Sequence, residues 1–258
     1  TGSTGSQGPT GPAAIGAQGP SGALSISGDT NNRVITADGD GSVTGESGLT
    51  FDGTTLTIGN DSTIANEKLT IGESNTNTPT LSSIVGGEQN VINSGAHCSI
   101  IGGGDGNKVC ANHTHAFIGG GHDNRVDGGN HSVLVGGIEN CNDGGGCSVL
   151  VGGYSNYNNG GFASVLVGGY DNTNSNSYSF LGAGRANCVA AACSLVVGGH
   201  ENTTTLSGLA SAVVGGRKNC INQNYGFIGG GCANGINTAG MSVCNYSSIV
   251  GGTQNEIT

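Results

Sequence analysis

Short aliphatic runs recur along most of the chain, and each is followed at a constant distance by two glycines and an asparagine. The frame is first complete at residues 82–90 (SSIVGGEQN) and returns at 132–140 (SVLVGGIEN), 148–156 and 164–172. It occurs eleven times, mostly 15 to 17 residues apart, with a gap of 21 before the last copy. The anchoring asparagines are Asn90, Asn107, Asn124, Asn140, Asn156, Asn172, Asn187, Asn202, Asn219, Asn234 and Asn255. A fixed period with fixed residue chemistry predicts a repeat solenoid over residues 81–258.

Each position of the repeat, counted from the anchor, has its own chemistry. The third residue before the asparagine is always glycine, the fourth is glycine in all copies but one, and the sixth is always aliphatic. Paired glycines permit positive φ, so they predict a corner that ends a strand of about four residues. The asparagine itself suits a turn, and stacked copies could form a ladder of amides.

Both faces of the predicted strand are apolar, since aliphatic residues are consecutive at Val133, Leu134 and Val135. A strand with one face in water would alternate instead. One face should therefore line the coil interior. The other needs a second covering surface, which two identical chains would supply.

The first 22 residues have a different period, with glycine at nearly every third position and one interruption at residues 12–15. Only glycine fits at the shared axis of three polyproline-II strands, so residues 1–22 predict a collagen-like stalk. A flexible Gly/Pro/Ser linker is the alternative. A collagen helix needs three chains, so this interpretation predicts a homotrimer.

Residues 23–80 show short alternating runs separated by turn residues, which predict a β-structured neck. The predicted strands are residues 24–26, 33–36, 49–51, 55–58 and 69–71.

Composition and charge narrow the function. Of the 258 residues, 34% are hydrophobic and 53 are glycine, which excludes a conventional packed globular domain and favours an elongated all-β structure. The net charge of −10, with seven Lys and Arg, argues against a nucleic-acid partner. No apolar run is long enough to span a bilayer, so membrane insertion is not expected.

The sequence points to no enzyme and no cofactor. It contains no nucleophile elbow, no HExxH motif and no P-loop, and its acidic residues are scattered. The first residue is Thr1 rather than Met, which is consistent with a processed or a partial chain, and the last residue lies within a repeat, which suggests that more chain follows.

Two stretches resemble known families. Residues 32–39 (NRVITADG) and 49–56 (LTFDGTTL) resemble a segment of viral tail-fibre proteins that forms intertwined trimeric β structure. The repeat resembles the head repeats of trimeric autotransporter adhesins and, more closely, the GG-x-x-N-rich repeats of viral fibre proteins. The resemblance implies a trimeric, left-handed parallel β-roll or β-helix that projects from a surface and contacts a host. The variable period and the nine cysteines depart from the family pattern.

The second residue before the asparagine varies most, which predicts a solvent-facing position. Tyr154, Tyr170, Arg185 and Arg217 occupy it and are the candidate receptor contacts, with an idle surface as the alternative.

Cysteine and histidine pairs offer further candidate chemistry. Cys141 with Cys147, and Cys188 with Cys193, could form disulfides between coils, or they could bridge chains or remain free thiols. The spacing of His113 and His115 is that with which some phage fibres hold a metal on the trimer axis, although His115 could simply begin a strand.

The sequence therefore predicts a homotrimeric virion surface fibre of about eleven coils that displays a host-attachment surface. Its expected partners are two identical chains, an anchor on the virion or cell surface, and a host receptor or glycan. A bacterial or spore-surface adhesin is the second hypothesis, and a tailspike-like glycan hydrolase is the third.

Overall fold

The computed structural model describes residues 68–237 and 246–258, together with three strands nearer the N-terminus. The predicted collagen-like segment, the predicted strand at 24–26 and Cys244 lie outside the described residues. All described elements are β-strands, and none of the described residues is helical. The chain divides into two compact units, Thr1–Thr63 and Ile64–Thr258.

The first unit contains one antiparallel sheet in the order β1-β2-β3, formed by β1 (Arg33–Ala37), β2 (Val43–Phe51) and β3 (Leu56–Ile58). Leu49 pairs with Ile58 across β2 and β3, on either side of the predicted Asp52-Gly53 turn. The strands predicted at 33–36, 49–51 and 55–58 are thus confirmed within a residue or two at most ends, although β2 begins several residues earlier.

The second unit is a parallel β-solenoid. Its strands, in chain order, are β4 (Lys68–Thr70), β5 (Thr76–Asn77), β6 (Ser82–Ile84), β7 (Val91–Ile92), β8 (Ile100–Ile101), β9 (Lys108–Val109), β10 (Phe117–Ile118), β11 (Arg125–Val126), β12 (Val133–Leu134), β13 (Cys141–Asn142), β14 (Val149–Leu150), β15 (Tyr157–Asn158), β16 (Val165–Leu166), β17 (Thr173–Asn174), β18 (Phe180–Leu181), β19 (Cys188–Val189), β20 (Leu195–Val196), β21 (Thr203–Thr204), β22 (Ala212–Val213), β23 (Cys220–Ile221), β24 (Phe227–Ile228), β25 (Gly235–Ile236), β26 (Ser248–Ile249) and β27 (Glu256–Ile257).

The even-numbered strands from β4 to β26 form one 12-stranded sheet, which we call the first sheet. The odd-numbered strands from β5 to β27 form another, which we call the second sheet. Each strand pairs with its equivalent in the next coil in the register of the repeat, as in Val133 with Val149 and Leu134 with Leu150. The solenoid predicted from the repeat is confirmed. Its ladders begin with β4 and β5, one coil before the first of the eleven predicted copies and within residues assigned to the neck.

Each coil also contributes one residue to a third parallel ladder, which we call the bridge ladder. Its members stand two residues before the anchor asparagine: Glu73, Glu88, Asp105, His122, Ile138, Tyr154, Tyr170, Arg185, His200, Arg217, Cys232 and Thr253. The most variable position of the repeat therefore has the same backbone pairing in every coil, and only its side chain differs.

The strands are shorter than the four residues predicted, mostly two residues each. The ladder of backbone hydrogen bonds nevertheless extends one residue further, since the Val135 amide donates to Leu150 O at 3.0 Å. The glycine corner follows at once, so the chain turns before more pairing can form.

The core lies inside the coils, between the two sheets. The aliphatic residue six before the anchor is fully buried in every coil from Ile84 to Ile228. Across the interior, the second residue after the anchor is aliphatic in seven of the twelve coils, and it is polar at Asn77 and Thr204 and at the buried Asn142, Asn158 and Asn174. These three amides are bonded inside the coil: Asn158 Nδ2 donates to Asn142 Oδ1 at 3.1 Å, and Ser164 Oγ donates to Asn158 Oδ1 at 3.0 Å.

The anchor asparagines form the predicted amide ladder. Asn156 Nδ2 donates to Gly152 O at 3.0 Å within its coil and to Gly169 O at 2.9 Å in the next. Its Oδ1 accepts from the Asn172 backbone amide at 3.0 Å. Asn156 is buried, so these bonds satisfy groups that would otherwise be unpaired inside the protein.

Candidate binding surface

The bridge ladder brings three of the four predicted contact residues together. The Tyr154 and Tyr170 rings stack with centroids 5.3 Å apart and planes 7° from parallel. The Arg185 guanidinium lies over the Tyr170 ring, 5.5 Å from its centroid. All three side chains are exposed, and Ile138 extends the apolar part of the ladder by one coil. The result is a continuous aromatic and cationic surface across consecutive coils.

The fourth predicted residue, Arg217, lies two coils beyond Arg185 in the same ladder, with His200 between them. Arg217 is exposed. Beside it, Glu201 contacts both His200, at 3.3 Å, and Lys218, at 3.4 Å. Three of the seven Lys and Arg of the chain therefore lie in this short stretch, at Arg185, Arg217 and Lys218.

The opposite end of the bridge ladder is acidic. Glu73, Glu88 and Asp105 occupy three consecutive coils, and His122 follows with Asp105 at 3.5 Å and Asp123 at 3.5 Å. The ladder thus changes from acidic to aromatic to basic along the solenoid. An anionic ligand would be attracted to the segment from Tyr154 to Arg217 and repelled by the other end.

A second surface is apolar. The residues seven and five before the anchor flank the buried aliphatic residue and point to the outer face of the first sheet, because side chains alternate along a strand. We call these two columns the outer face. Its large residues are exposed or half-buried in the single chain, the exposed ones including Val151 at 39% and Val197 at 43%.

The two columns of the outer face compensate for each other. Where the residue five before the anchor is glycine, the residue seven before is large: Ile100 with Gly102, Phe117 with Gly119, Phe180 with Gly182 and Phe227 with Gly229. Elsewhere, as at Val149 and Val151, two smaller residues fill both positions. A Cβ added at Gly182 would lie 2.2 Å from Val197 O of the next coil and 3.2 Å from the Phe180 ring.

A third surface was not predicted. Nine residues before the anchor, the chain adopts a left-handed conformation at ten successive positions from Leu81 to Tyr225, with φ between 51° and 62°. We call this position the corner column. His115 stacks on His131, and Tyr225 stacks on Tyr246, each pair belonging to consecutive coils.

The variable length of the repeat hides the corner column in the sequence. The segment between the third residue after one anchor and the next corner-column residue varies in length. It has two residues at 176–177, four at 111–114 and eight at 238–245. The column aligns only when counted backward from the following asparagine, and that signal could have identified it.

The described cysteines lie mostly at two positions of the repeat, the corner column and the residue directly after the anchor. Eight of the nine are described, and all eight are free thiols in the structure. Cys141 and Cys188 begin β13 and β19 and are half-buried, whereas Cys147 and Cys193 are exposed in the corner column. Burial raises the pKa of the Cys141 thiol to about 11, opposed by the charge of Arg125. The two disulfides stay predictions.

The predicted metal site at His113 and His115 needs three chains and stays a prediction. His113 and His115 belong to one coil, but the ring of His115 stacks on His131 of the next coil, and the His113 carbonyl accepts from Ser99 Oγ at 3.3 Å. Among the described residues, no three His, Cys, Asp or Glu side chains converge on one point.

The solvent side of the second sheet carries two neighbouring acidic residues that the sequence analysis did not identify. Asp127 and Asp143 follow the paired strands β11 and β13 at the same position of adjacent coils. Both are engaged: Arg125 pairs with Asp127, and Tyr157 Oη donates to Asp143 Oδ2 at 2.9 Å. These bonds hold the carboxylates in structural roles rather than presenting them to a substrate.

A cleft of about 320 Å³ lies near the last coils, lined by residues that include Lys218, Cys220, Gly235 and Glu256. It lies where glycine replaces a side chain in the outward column of the second sheet. None of the predicted site residues lines it.

No protein-family model and no curated protein matches the chain. Within the described residues, no helix has the length and apolar character needed to cross a membrane. The structure therefore defines the protein as a parallel β-solenoid repeat protein.

Proposed function

We propose that the protein is a homotrimeric surface fibre of a virion, in which three solenoids associate through their outer faces and display an attachment surface. The observation that carries the proposal is the compensated apolar outer face of the first sheet.

The outer face has the character of an interface. Soluble monomers rarely expose contiguous apolar patches of more than a few hundred Å², whereas this surface recurs coil after coil along the sheet. One coil carries Val149 and Val151 at the two positions and another carries Phe180 and Gly182. The outer face stays apolar in both coils, although the side-chain volume is distributed differently. The glycine is set by contacts within the chain, since a Cβ at Gly182 would meet Val197 O of the next coil, and the large neighbour keeps the surface apolar and filled, which suits a packed interface.

Three copies suit this face better than two because the sequence also predicts a three-chain stalk. The collagen-like residues 1–22 would hold the chains parallel, and each solenoid would then align its apolar columns with those of its neighbours. Association would remove the outer face from water, which contributes roughly 25 cal/mol for each Å² of apolar surface buried.

Attachment is assigned to the bridge ladder. Stacking on Tyr170 fixes one face of the Arg185 guanidinium and leaves its N–H edge free, and that edge is suited to carboxylate or sulfate groups. Tyr154 and Tyr170 supply rigid contact area with phenol hydroxyls, as is usual where a few residues dominate binding. A host receptor or glycan with acidic groups fits this surface.

Sedimentation equilibrium of the full chain tests the assembly. The expected mass is three times the 25.1-kDa chain mass. A double variant on the outer face, Val151→Glu with Val167→Glu, should reduce the mass to that of one chain. The matched control, Thr173→Glu with Thr203→Glu, places the same charges on the second sheet and should stay trimeric. A monomeric wild type, or a trimeric outer-face variant, would refute the proposed assembly.

Binding of the labelled protein to host cells tests the attachment surface. Tyr170→Ala and Arg185→Ala should each weaken binding by at least about tenfold, the effect of removing an interface residue worth about 1.4 kcal/mol. Thr253→Ala, in the same ladder but far from the aromatic segment, is the control. Equal binding by all variants would remove the bridge ladder from consideration.

A further inference from the structure

In four consecutive coils, the corner-column residue is a histidine or a cysteine, the residue types that bind transition metals. The residues are Cys98, His115, His131 and Cys147, in that order along the solenoid. Two further histidines, His97 and His113, lie within two residues of that column, so four of the six histidines in the chain share this corner. Neither the apolar outer face nor the bridge ladder includes any of them.

The backbone presents the four side chains alike. All four residues are left-handed, with φ of 56°, 59°, 62° and 51°. The amides of His115, His131 and Cys147 each donate at 3.0 Å to the equivalent carbonyl of the preceding coil. Equal conformations in register project their side chains in the same direction, about 4.8 Å apart along the ladder.

The two histidines lie side by side in adjacent coils. Their rings stack with centroids 4.7 Å apart and planes 7° from parallel, and both residues are exposed. An imidazole nitrogen binds zinc at about 2.0–2.1 Å, so two nitrogens on one tetrahedral ion lie about 3.3 Å apart. Chelation therefore requires both exposed rings to rotate about their side-chain torsions until their nitrogen lone pairs converge, which a spacing of about 4.8 Å between the backbones allows.

We propose that His115 and His131 chelate a divalent transition-metal ion of the zinc class at this corner. Because no three ligand side chains converge among the described residues, the ion binds first to the two imidazoles, with water at its other positions. The exposed Cys147, one coil from His131, then rotates in as a third ligand. Its thiol releases a proton to solvent as the sulfur–metal bond forms.

The residue types favour this class of ion. Imidazole nitrogen with thiolate sulfur is the ligand set of zinc, whereas magnesium and calcium prefer oxygen. The chain has a net charge of −10, which also attracts cations. A bound ion would link the coils anchored at Asn124, Asn140 and Asn156 and so stiffen one corner of the solenoid.

Calorimetric titration of the full chain with Zn²⁺, without a polyhistidine tag, tests the site. His115→Ala and His131→Ala should each weaken binding by about a hundredfold, because the second imidazole acts as an intramolecular ligand. The matched control is His97→Ala, since the Nδ1 of His97 lies 2.9 Å from Thr80 Oγ1 and the residue belongs to the neighbouring column. Circular dichroism of each variant distinguishes lost ligation from lost folding.

Co²⁺ replaces Zn²⁺ as the spectroscopic probe for the thiolate. A sulfur-to-cobalt charge-transfer band that disappears in Cys147→Ser, but persists in Cys193→Ser of the same column, supports the third ligand. Wild-type affinity in both histidine variants would overturn the site, and absence of the band in the wild type would overturn the role of Cys147.

Discussion

At the scale of single residues, the glycine three positions before each anchor is required by the close approach of the next coil. Gly137 has φ of +92°, and a Cβ there would lie 2.3 Å from Gly153 O. The preceding Gly136 has open space, with its nearest neighbour 3.7 Å from an added Cβ. The predicted corner thus uses positive φ at Gly137 and not at Gly136, and the single exception in the column of Gly136, Ala183, shows the tolerance of that position.

This difference predicts opposite outcomes for two adjacent substitutions. Gly137→Ala should destabilise the protein by roughly 2 kcal/mol or more, because it combines an unfavourable φ with a backbone clash. Gly136→Ala should be neutral or slightly stabilising, since it restricts only the unfolded chain. Urea unfolding of both variants checks the contrast, and equal effects would contradict the account of the corner.

A hydrogen bond to Asp143 predicts alkaline sensitivity at one tyrosine. That bond, with desolvation and nearby negative charge, raises the pKa of Tyr157 to about 12, above its ordinary value near 10. A raised folded-state pKa contributes stability that is present below pH 10 and is lost as pH rises through 12. Tyr157→Phe should therefore be less stable than the wild type near neutrality, and the difference should shrink from pH 10 upward.

Unfolding by urea at a series of pH values, with the absorbance of tyrosinate followed in parallel, measures this difference. Tyr154→Phe is the control, since Tyr154 stacks on Tyr170 rather than on a carboxylate. A stability difference for Tyr157→Phe that stays constant over the whole alkaline range would exclude the bond to Asp143 as its cause.

At the scale of elements, the bridge ladder stacks like charges at one end. Glu88 pairs directly with Glu73 and Asp105 in neighbouring coils, and like charges opposite each other destabilise a sheet. Glu88→Gln should raise the free energy of unfolding by roughly 0.5 kcal/mol at low salt, with the gain fading as salt increases.

The matched control for that change is Glu201→Gln, because Glu201 lies between His200 and Lys218 and loses attraction instead. It should be neutral or destabilising. Chemical unfolding at two ionic strengths separates the cases, and a salt-independent gain for Glu88→Gln would point to a cause other than charge repulsion.

The two sheets of the solenoid differ in how well they could be predicted from the sequence. The first sheet and the amide ladder were predicted because their residues are nearly invariant from copy to copy. The second sheet was missed since its inward residue is aliphatic in some coils, as at Val126, but polar in others, as at Asn142 and Thr204, which interrupts the apolar signal. Hydrogen bonds to Ser148 and its equivalents make the buried asparagines acceptable, and those partners lie in a different part of the coil.

The first coil was missed for a related reason. Asn75 has the required glycine at Gly72 and aliphatic residue at Leu69, but Ile71 replaces the other glycine and Glu67 the serine. The first coil nevertheless pairs with the next in register, so it forms with only the first two of these features. Of the candidate surfaces, the contact residues share one ladder as expected, whereas the corner column depended on alignment across loops of different length.

At the scale of the whole second unit, each coil contacts only its neighbours, so stability should be nearly additive in coils. Deletion of residues 149–164 removes one repeat and joins Ser148 directly to Val165. The serine, strand and anchor then keep their spacing, and Val133 can pair with Val165 as it pairs with Val149 in the wild type. We expect a folded protein with an unchanged β-type circular dichroism spectrum and a modest loss of stability.

Deletion of residues 149–156 is the control, because it removes about half a coil. Ser148 would then precede Tyr157, the inward aliphatic Leu150 and the anchor Asn156 would be lost, and neither sheet could continue in register across the junction. A whole-repeat deletion that unfolds as completely as the half-repeat deletion would show that distant coils depend on one another. Stability would then reside in the full stack, and the description of the solenoid as a series of independent neighbouring contacts would fail.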